Sequence, residues 1–177
     1  GPYNPAVDVP TPGVGPLGVK DTGAFANLRL ERIVIQNVQS YGISTADASN
    51  LQILNCKLIN TGYISIFCNN TVSGLVAGLV DGNLVDRSGI PANHITQPCV
   101  AIRGSSAANY TTGLIFTGNK LIGQQSPTDP SAACMELRFM RNCTVDSNAF
   151  INGTLGLSLA TTFYITATAN TCFGCGY

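Results

Sequence analysis

Two arginines and a glutamate stand in two similar short segments of this sequence and could together bind an anionic or hydroxyl-rich ligand. The segments are residues 99–103 and 134–138, and in each the second and fourth residues are apolar. That alternation predicts strands with one buried face, so Arg103, Glu136 and Arg138 share the opposite face. A guanidinium offers a rigid, planar fork of hydrogen-bond donors. The alternative is an ordinary surface ion pair, which contributes at most about 1 kcal/mol.

Two further segments, residues 63–67 and 154–158, have the same alternation and place serines beside these charges. Stacked strands predict two outward columns: Ser65, Ala101, Glu136 and Gly156 in one, and Phe67, Arg103, Arg138 and Ser158 in the other. The predicted ligand-binding residues are therefore Ser65, Arg103, Glu136, Arg138 and Ser158. Because Glu136 shares a strand with Arg138, we expect Glu136 to neutralise Arg138 and leave Arg103 more available to a ligand.

Acid–base catalysis has few candidates here, because the chain has 9 acidic residues and 1 histidine. Glu136, together with Asp129 and His94 in long loops that are expected to lie above the arginines, could serve as general acid or base. Asp81 and Asp146 are predicted two strands apart on another face, roughly 9–10 Å, near the upper end of the spacing in inverting glycosidases. A solvated strand face explains that second pair equally well.

The 7 cysteines suggest no metal site and no cofactor. Cys172 and Cys175 form a CxxC motif, but no second pair follows at the spacing of a zinc finger. Cys143 and Cys172 fall at inward strand positions, where cysteine packs as a small hydrophobe. Cys99 and Cys134 are predicted at the same outward position of neighbouring strands.

The elements that position these residues come from an internal repeat of strand, corner and strand. Six copies align on the second corner residue, which is Val38, Cys56, Asn83, Asn119, Asn148 or Asn170. Three positions earlier stand the apolar residues Ile35, Ile53, Val80, Phe116, Val145 and Ala167, predicted to point inward. A third strand follows each variable loop. Short strands repeated at this interval predict coils that stack in parallel around one core.

The chain divides into a linker or N-terminal cap over residues 1–26, which is rich in Pro and Gly, and a repeat domain over 27–177. Net charge is zero and 10% of residues are charged, which argues against nucleic-acid binding. No run of 18 apolar residues occurs, so membrane insertion is not expected. Long insertions at residues 87–98, 104–112 and 123–133 are predicted to border one face.

The repeats resemble the right-handed parallel β-helix of the pectate-lyase-like superfamily over roughly residues 28–173. The row of corner asparagines is similar to that family's asparagine ladder, and the resemblance implies an all-β fold of about six coils after an irregular N-terminal segment. In that family the substrate groove commonly follows the strand after the variable loop, which here carries Ser65, Arg103, Arg138 and Ser158. Its catalytic motifs are missing: we find no Asn-Thr-Asp, no Gly-His-Gly and no Arg-x-Pro-x-x-Arg.

The resemblance is greatest to the tailspikes of bacteriophages and viruses, which are trimers that bind surface polysaccharide. It implies a receptor-recognising domain that binds a cell-surface polysaccharide, forms a homotrimer and lies on the virion surface or outside the cell. One alternative is a polysaccharide lyase or glycoside hydrolase that acts on a cell-surface or uronic-acid polysaccharide. Another is a purely structural spacer.

Overall fold

The computed structural model describes residues 4–5, 17–21, 25–72, 76–106, 108–127, 129 and 132–176. Within them, strands numbered β1 to β18 in chain order form three parallel sheets of six strands each. One 3₁₀-helix, Ala92–His94, is the helical element of this part of the chain. None of the described helices is long and apolar enough to span a membrane.

The three sheets are named here by the order in which their strands occur. Sheet A contains β1 (Val19–Lys20), β4 (Tyr41–Ala46), β7 (Ile64–Asn69), β10 (Val100–Arg103), β13 (Ala133–Arg138) and β16 (Leu155–Ala160). Sheet B contains β2 (Arg29–Glu31), β5 (Leu51–Leu54), β8 (Val76–Asp81), β11 (Thr111–Thr117), β14 (Met140–Asp146) and β17 (Phe163–Thr168). Sheet C contains β3 (Val34–Val38), β6 (Lys57–Thr61), β9 (Leu84–Asp86), β12 (Lys120–Ile122), β15 (Ala149–Ile151) and β18 (Thr171–Phe173).

Each coil passes from sheet B to sheet C to sheet A, and equivalent strands of successive coils pair in parallel. In sheet B, Phe116 lies between Val80 and Val145, and all three are at most 1% exposed. Apolar side chains from the three sheets meet in one continuous core. The predicted all-β, parallel β-helix architecture is therefore confirmed.

The corner between sheets B and C requires a left-handed backbone at its first residue. That residue has a positive φ in every coil: Arg32, Asn55, Gly82, Gly118, Ser147 and Ala169, with φ between 50° and 65°. Glycine and asparagine tolerate this conformation well, which explains why the corner was visible in most copies.

The second corner residue carries an asparagine ladder inside the coil. The side-chain amide of Asn119 donates to Asn148 Oδ1 at 3.0 Å, and Asn83 donates to Asn119 Oδ1 at 2.8 Å. The same amide of Asn119 also donates to the Val80 carbonyl of the preceding coil at 2.9 Å. The buried side chains of Asn83 and Asn119 are thus hydrogen-bonded between the coils, as buried polar groups generally are.

The first copy of the repeat was aligned wrongly on Val38. Strand pairing places Leu30 beside Ile53, so the true corner is Arg32 followed by Ile33. Ile35 is buried, but it faces Leu58 in sheet C and does not join the Phe116 row. Arginine rarely adopts positive φ, so this corner carried no recognisable sequence signal.

The predicted outward columns of sheet A are wrong at β7 and β16, where the true strand partner stands two residues later in the chain than expected. Ala101 pairs with Phe67 and Glu136 with Ser158, so Ser65 and Gly156 leave the first column. The amides of both Ser65 and Ile66 donate to the Cys99 carbonyl. Two residues facing one partner form a β-bulge, which breaks the alternation assumed from the sequence.

The long insertions border sheet A, as predicted. Residues 87–98 and 123–132 precede β10 and β13, and residues 104–110 follow β10. The first two contact each other, because Ile90 and Ile95 pack with Ala132 and the Gln124 amide donates to the Ser88 carbonyl at 2.7 Å. Sheet A therefore forms the floor of a face with loops along both borders.

The boundary at residue 27 stays a prediction, since most of residues 1–26 lies outside the described part of the chain. Val19 and Lys20, which precede that boundary, already belong to the β-helix, because they form β1 and pair with Ile43 and Ser44.

Candidate functional site

Arg103, Glu136 and Arg138 form one ion-paired cluster on the outer face of sheet A. Arg103 Nε donates to Glu136 Oε1 at 2.8 Å and Arg103 Nη2 donates to Oε2 at 3.3 Å. Arg138 Nε lies 3.6 Å from the same Oε1. The Glu136 side chain is 7% exposed, and two cations beside it satisfy its charge.

The partner of Glu136 differs from the expected one. Glu136 binds Arg103 of the neighbouring strand with two hydrogen bonds, whereas its own strand-mate Arg138 makes a longer contact. The Arg138 side chain is 47% exposed and that of Arg103 is 23% exposed. Arg138, not Arg103, is therefore the arginine more available to a ligand.

Aromatic rings extend this cluster along the sheet. Arg103 lies over the Phe67 ring, with its guanidinium carbon 5.5 Å from the ring centroid. Phe67 stacks on Tyr41 at 5.2 Å, and Tyr41 meets Tyr63 edge to face at 5.4 Å. Burial raises the pKa of Tyr41, so its hydroxyl stays protonated at neutral pH. Arg103 therefore connects an aromatic group to an ionic group.

These side chains form a continuous surface strip across successive coils. The aromatic–arginine strip is defined as Tyr63, Tyr41, Phe67, Arg103, Glu136 and Arg138. The three aromatic members were absent from the predicted site. No repeated position marks them in the sequence, because Tyr63 precedes β7, Tyr41 pairs with Ile64 and Phe67 pairs with Ser44.

Of the two predicted serines, Ser158 lies beside the strip and Ser65 is buried. Ser158 lies beside Glu136 on the neighbouring strand and is half-buried, which keeps it at the edge of the strip. Ser65 is 0% exposed and its hydroxyl makes a short contact with Thr61 Oγ1. The bulge turns Ser65 into the interior, so it cannot bind a ligand on this face.

His94 and Asp129 lie at the other border of sheet A. Both belong to the insertions that precede β10 and β13. The backbone amide of Asp129 donates to Ser126 Oγ at 3.0 Å. Arg103 and Arg138 end β10 and β13 at the opposite border. Three residues of strand separate Val100 from Arg103, a distance of about 10 Å. The expected position of His94 and Asp129 above the arginines stays a prediction.

The carboxylates Asp81 and Asp146 stand in the predicted column on sheet B, separated by Thr117. Thr168 Oγ1 donates to Asp146 Oδ1 at 2.5 Å and Ser147 Oγ donates to Oδ2 at 2.9 Å. These hydrogen bonds hold the pKa of Asp146 below its ordinary value. A carboxyl group that stays ionised is a poor general acid, so this column has the character of a solvated strand face.

The cysteines are all free thiols in this structure. Cys143 packs in the core, and Cys172 occupies an inward position next to Phe150, as predicted. Cys99 and Cys134 are neighbours, but they are buried inside the coil and not on its outer face. Among the described residues, no group of three or more His, Cys, Asp or Glu side chains is arranged to hold a metal ion.

Comparisons with known proteins found no family model, no curated protein and no solved structure that matches this chain.

Proposed function

We propose that the aromatic–arginine strip binds a cell-surface polysaccharide, with Arg138 as its most accessible charged donor. The observation that carries the proposal is the continuity of the strip, which joins three aromatic rings to an Arg–Glu–Arg cluster on one sheet face. A sugar ring has hydroxyls at its edge and C–H groups on its faces. Planar donors beside aromatic rings complement both.

The position of the strip supports this proposal. Insertions border sheet A on both sides, and loops on a rigid scaffold are where binding residues concentrate. Coils repeat every ~4.8 Å, so the strip spaces its donors and rings at regular intervals along the axis. A polymer lying along the axis would therefore meet aromatic rings on two coils and charged donors on the next two.

The resemblance to phage and viral tailspikes extends the proposal to the whole molecule. In this proposal the chain is the receptor-recognising part of a tailspike or fibre, acts as a homotrimer and lies on the virion surface or outside the cell. The β-helical architecture and the exposed face of sheet A support it. The proposal includes descent from the pectate-lyase-like superfamily.

The test is a glycan array followed by calorimetry on selected variants. Arg138→Ala should weaken binding by about 1.5–3 kcal/mol, the range for a hydrogen bond to a charged group. Thermal stability should change little, because the contact to Glu136 is long and half-exposed. Arg103→Ala is unsuitable as the first variant, since it would leave Glu136 buried without its main partner.

Arg141→Ala is the matched control. Arg141 is also an exposed arginine, but it belongs to sheet B and lies over Tyr110, with its guanidinium carbon 4.4 Å from the ring centroid. Binding should survive this change and the change Asp146→Asn. If Arg138→Ala leaves binding intact while Asp146→Asn abolishes it, the ligand lies on sheet B.

The same polysaccharides should be assayed for reducing ends and for absorbance at 235 nm, the signal of a lyase product. Product formation from any polymer would favour the polysaccharide lyase or glycoside hydrolase, with Glu136 as the first residue to replace. No binding and no product would favour the structural spacer.

A further inference from the structure

Arg87 is a buried cation without a carboxylate in its hydrogen bonds. It follows β9 and is 1% exposed. Its Nη1 donates to the carbonyls of Gln97 at 2.9 Å and Pro98 at 3.2 Å, and Nη2 donates to the Gly62 carbonyl at 2.5 Å. Among the described residues, its Nε has no partner. A buried charge is costly unless an opposite charge accompanies it.

One of two neighbouring thiols, Cys99, follows the Pro98 carbonyl that this guanidinium binds. Cys99 is 2% exposed and Cys134 is 0% exposed. Val100 and Met135 are strand partners, so the residues that precede them face each other on neighbouring coils. The side chains of Cys99 and Cys134 interact electrostatically with each other, and Arg87 with Cys99. The Cys134 thiol donates to the carbonyls of Leu121 at 3.8 Å and Ile151 at 3.6 Å. Partners in a parallel sheet lie about 4.8 Å apart, which is within the Cα–Cα range of disulfides.

Glycines leave the space that the two sulfurs occupy. A Cβ on Gly153 would lie 2.6 Å from Cys134 Sγ, and a Cβ on Gly123 would lie 3.4 Å from Cys99 Sγ. Cys134 Sγ also lies 3.6 Å from the Ile151 carbonyl. The compartment is therefore shaped around the thiols.

The surroundings give the two thiols different acidities. The neighbouring Cys134 thiol and the charge of Arg87 lower the pKa of Cys99, against the effects of burial and of Asp86. The neighbouring Cys99, burial and Cys175 raise the pKa of Cys134. Cys99 is thus the more acidic of the two thiols, and Cys134 is the one that stays protonated.

We propose that Arg87, Cys99 and Cys134 form a redox site, where hydrogen peroxide oxidises the two thiols to a disulfide that joins neighbouring coils. The Cys99 thiolate attacks one peroxide oxygen, the O–O bond breaks, and sulfur gives up two electrons to become a sulfenic acid. The released hydroxide takes a proton and becomes water. The Cys134 sulfur then attacks the sulfenic sulfur, the S–S bond forms, and the S–OH oxygen leaves with the Cys134 proton as a second water.

The test is peptide mapping by mass spectrometry after peroxide treatment of the folded protein near pH 7.5. A disulfide between Cys99 and Cys134 is the expected product. Cys134→Ser should instead accumulate a sulfenic acid on Cys99, which dimedone traps. Arg87→Met should slow the loss of the Cys99 thiol at least about tenfold because it removes the charge that favours the thiolate, whereas Arg87→Lys keeps that charge and should stay near the original rate.

Cys143→Ser is the matched control, because Cys143 is another buried core cysteine and its removal should not alter the product. A disulfide between Cys134 and Cys175, or a Cys99 thiol that reacts no faster than Cys143, would overturn the proposal. Should Arg87→Met fail to fold, dimedone trapping in Cys134→Ser decides, since that variant retains Arg87.

A second readout needs no oxidant. The pKa of Cys99 in the folded chain is lowered to about 7, below the ordinary value of a cysteine thiol. A lowered pKa stabilises the folded state above the unfolded value, and that stabilisation is lost as pH falls toward the folded value. The thermal midpoint should therefore rise between pH 7 and pH 9 more steeply in the original protein than in Cys99→Ser. Equal slopes would show that Cys99 carries no thiolate opposite Arg87.

Discussion

At the scale of single residues, the pleat of each strand decides between core and surface. Phe116 and Ile115 are adjacent on β11, yet Phe116 is 0% exposed and Ile115 is 48% exposed. Phe116 packs in the interior between Val80 and Val145 of the neighbouring coils. The contribution of these two apolar residues to stability should therefore differ sharply.

Replacing Phe116 with Ala should lower the free energy of unfolding by roughly 3–5 kcal/mol, since it removes a buried ring and leaves a cavity. Chemical denaturation measures the change, and Ile115→Ala is the control. A loss below about 1 kcal/mol for Phe116→Ala would show that this side chain is outside the core.

Residue spacing predicted the strands and the inward rows, because alternation and corner asparagines are local properties of the sequence. It did not predict which arginine binds Glu136. That choice depends on side-chain rotamers across two strands, and the spacing of Arg103 and Arg138 is identical in their segments. The buried Cys99 and Cys134 were also missed, since residues 98–102 and 132–137 are buried without interruption and burial does not alternate there.

At the scale of elements, the B–C corner combines a backbone requirement with a side-chain ladder. Gly118 supplies the left-handed residue and Asn119 supplies the ladder. Asn119 is 1% exposed, and its amide serves the carbonyls of Val80 and Thr117 as well as Asn148. The ladder therefore holds three consecutive coils at once. Where Arg32 replaces glycine or asparagine, the corner persists because the surrounding pairing determines it.

Asn119→Ala should destabilise the protein by about 1–3 kcal/mol, because buried partners such as the Asn83 backbone amide lose their acceptor. Asn170→Ala is the matched control. Asn170 stands in the last described coil and is half-buried, so its loss should cost less. Equal losses of stability in the two variants, by thermal or chemical unfolding, would mean that an asparagine inside the ladder contributes no more than one at its end.

At the scale of the whole molecule, sheet B carries several exposed apolar side chains among its polar ones. Val76, Ile115 and Phe163 lie on it and are 47%, 48% and 47% exposed. The chain has 10% charged residues, so few charges keep such faces apart. Exposed apolar groups of this kind mark surfaces where proteins associate.

We expect the homotrimer of the proposed tailspike to form through sheet B. Light scattering at concentrations on the order of tens of micromolar should give three chain masses, and Ile115→Glu should lower that mass. Val34→Glu is the matched control, because Val34 is 61% exposed but lies on sheet C. A monomer mass for the unaltered chain would contradict the predicted trimer and weaken the proposal that the chain is part of a tailspike.

The unequal lengths of the coils have a consequence for evolution. Neighbouring corners are joined by ladder bonds across 27, 36, 29 and 22 residues, yet their strands stay in register. Doubling the length of a flexible loop costs only about 0.6 kcal/mol of loop-closure free energy. Strand pairing on either side fixes both ends of each insertion. The exposed parts of the insertions at residues 87–98 and 123–132 can therefore be exchanged for other sequences while the stack persists, whereas the buried Arg87, Ile90 and Ile95 have to stay. Under the proposed function, such an exchange would remodel the borders of sheet A, and with them the range of polysaccharides bound, without altering the coils.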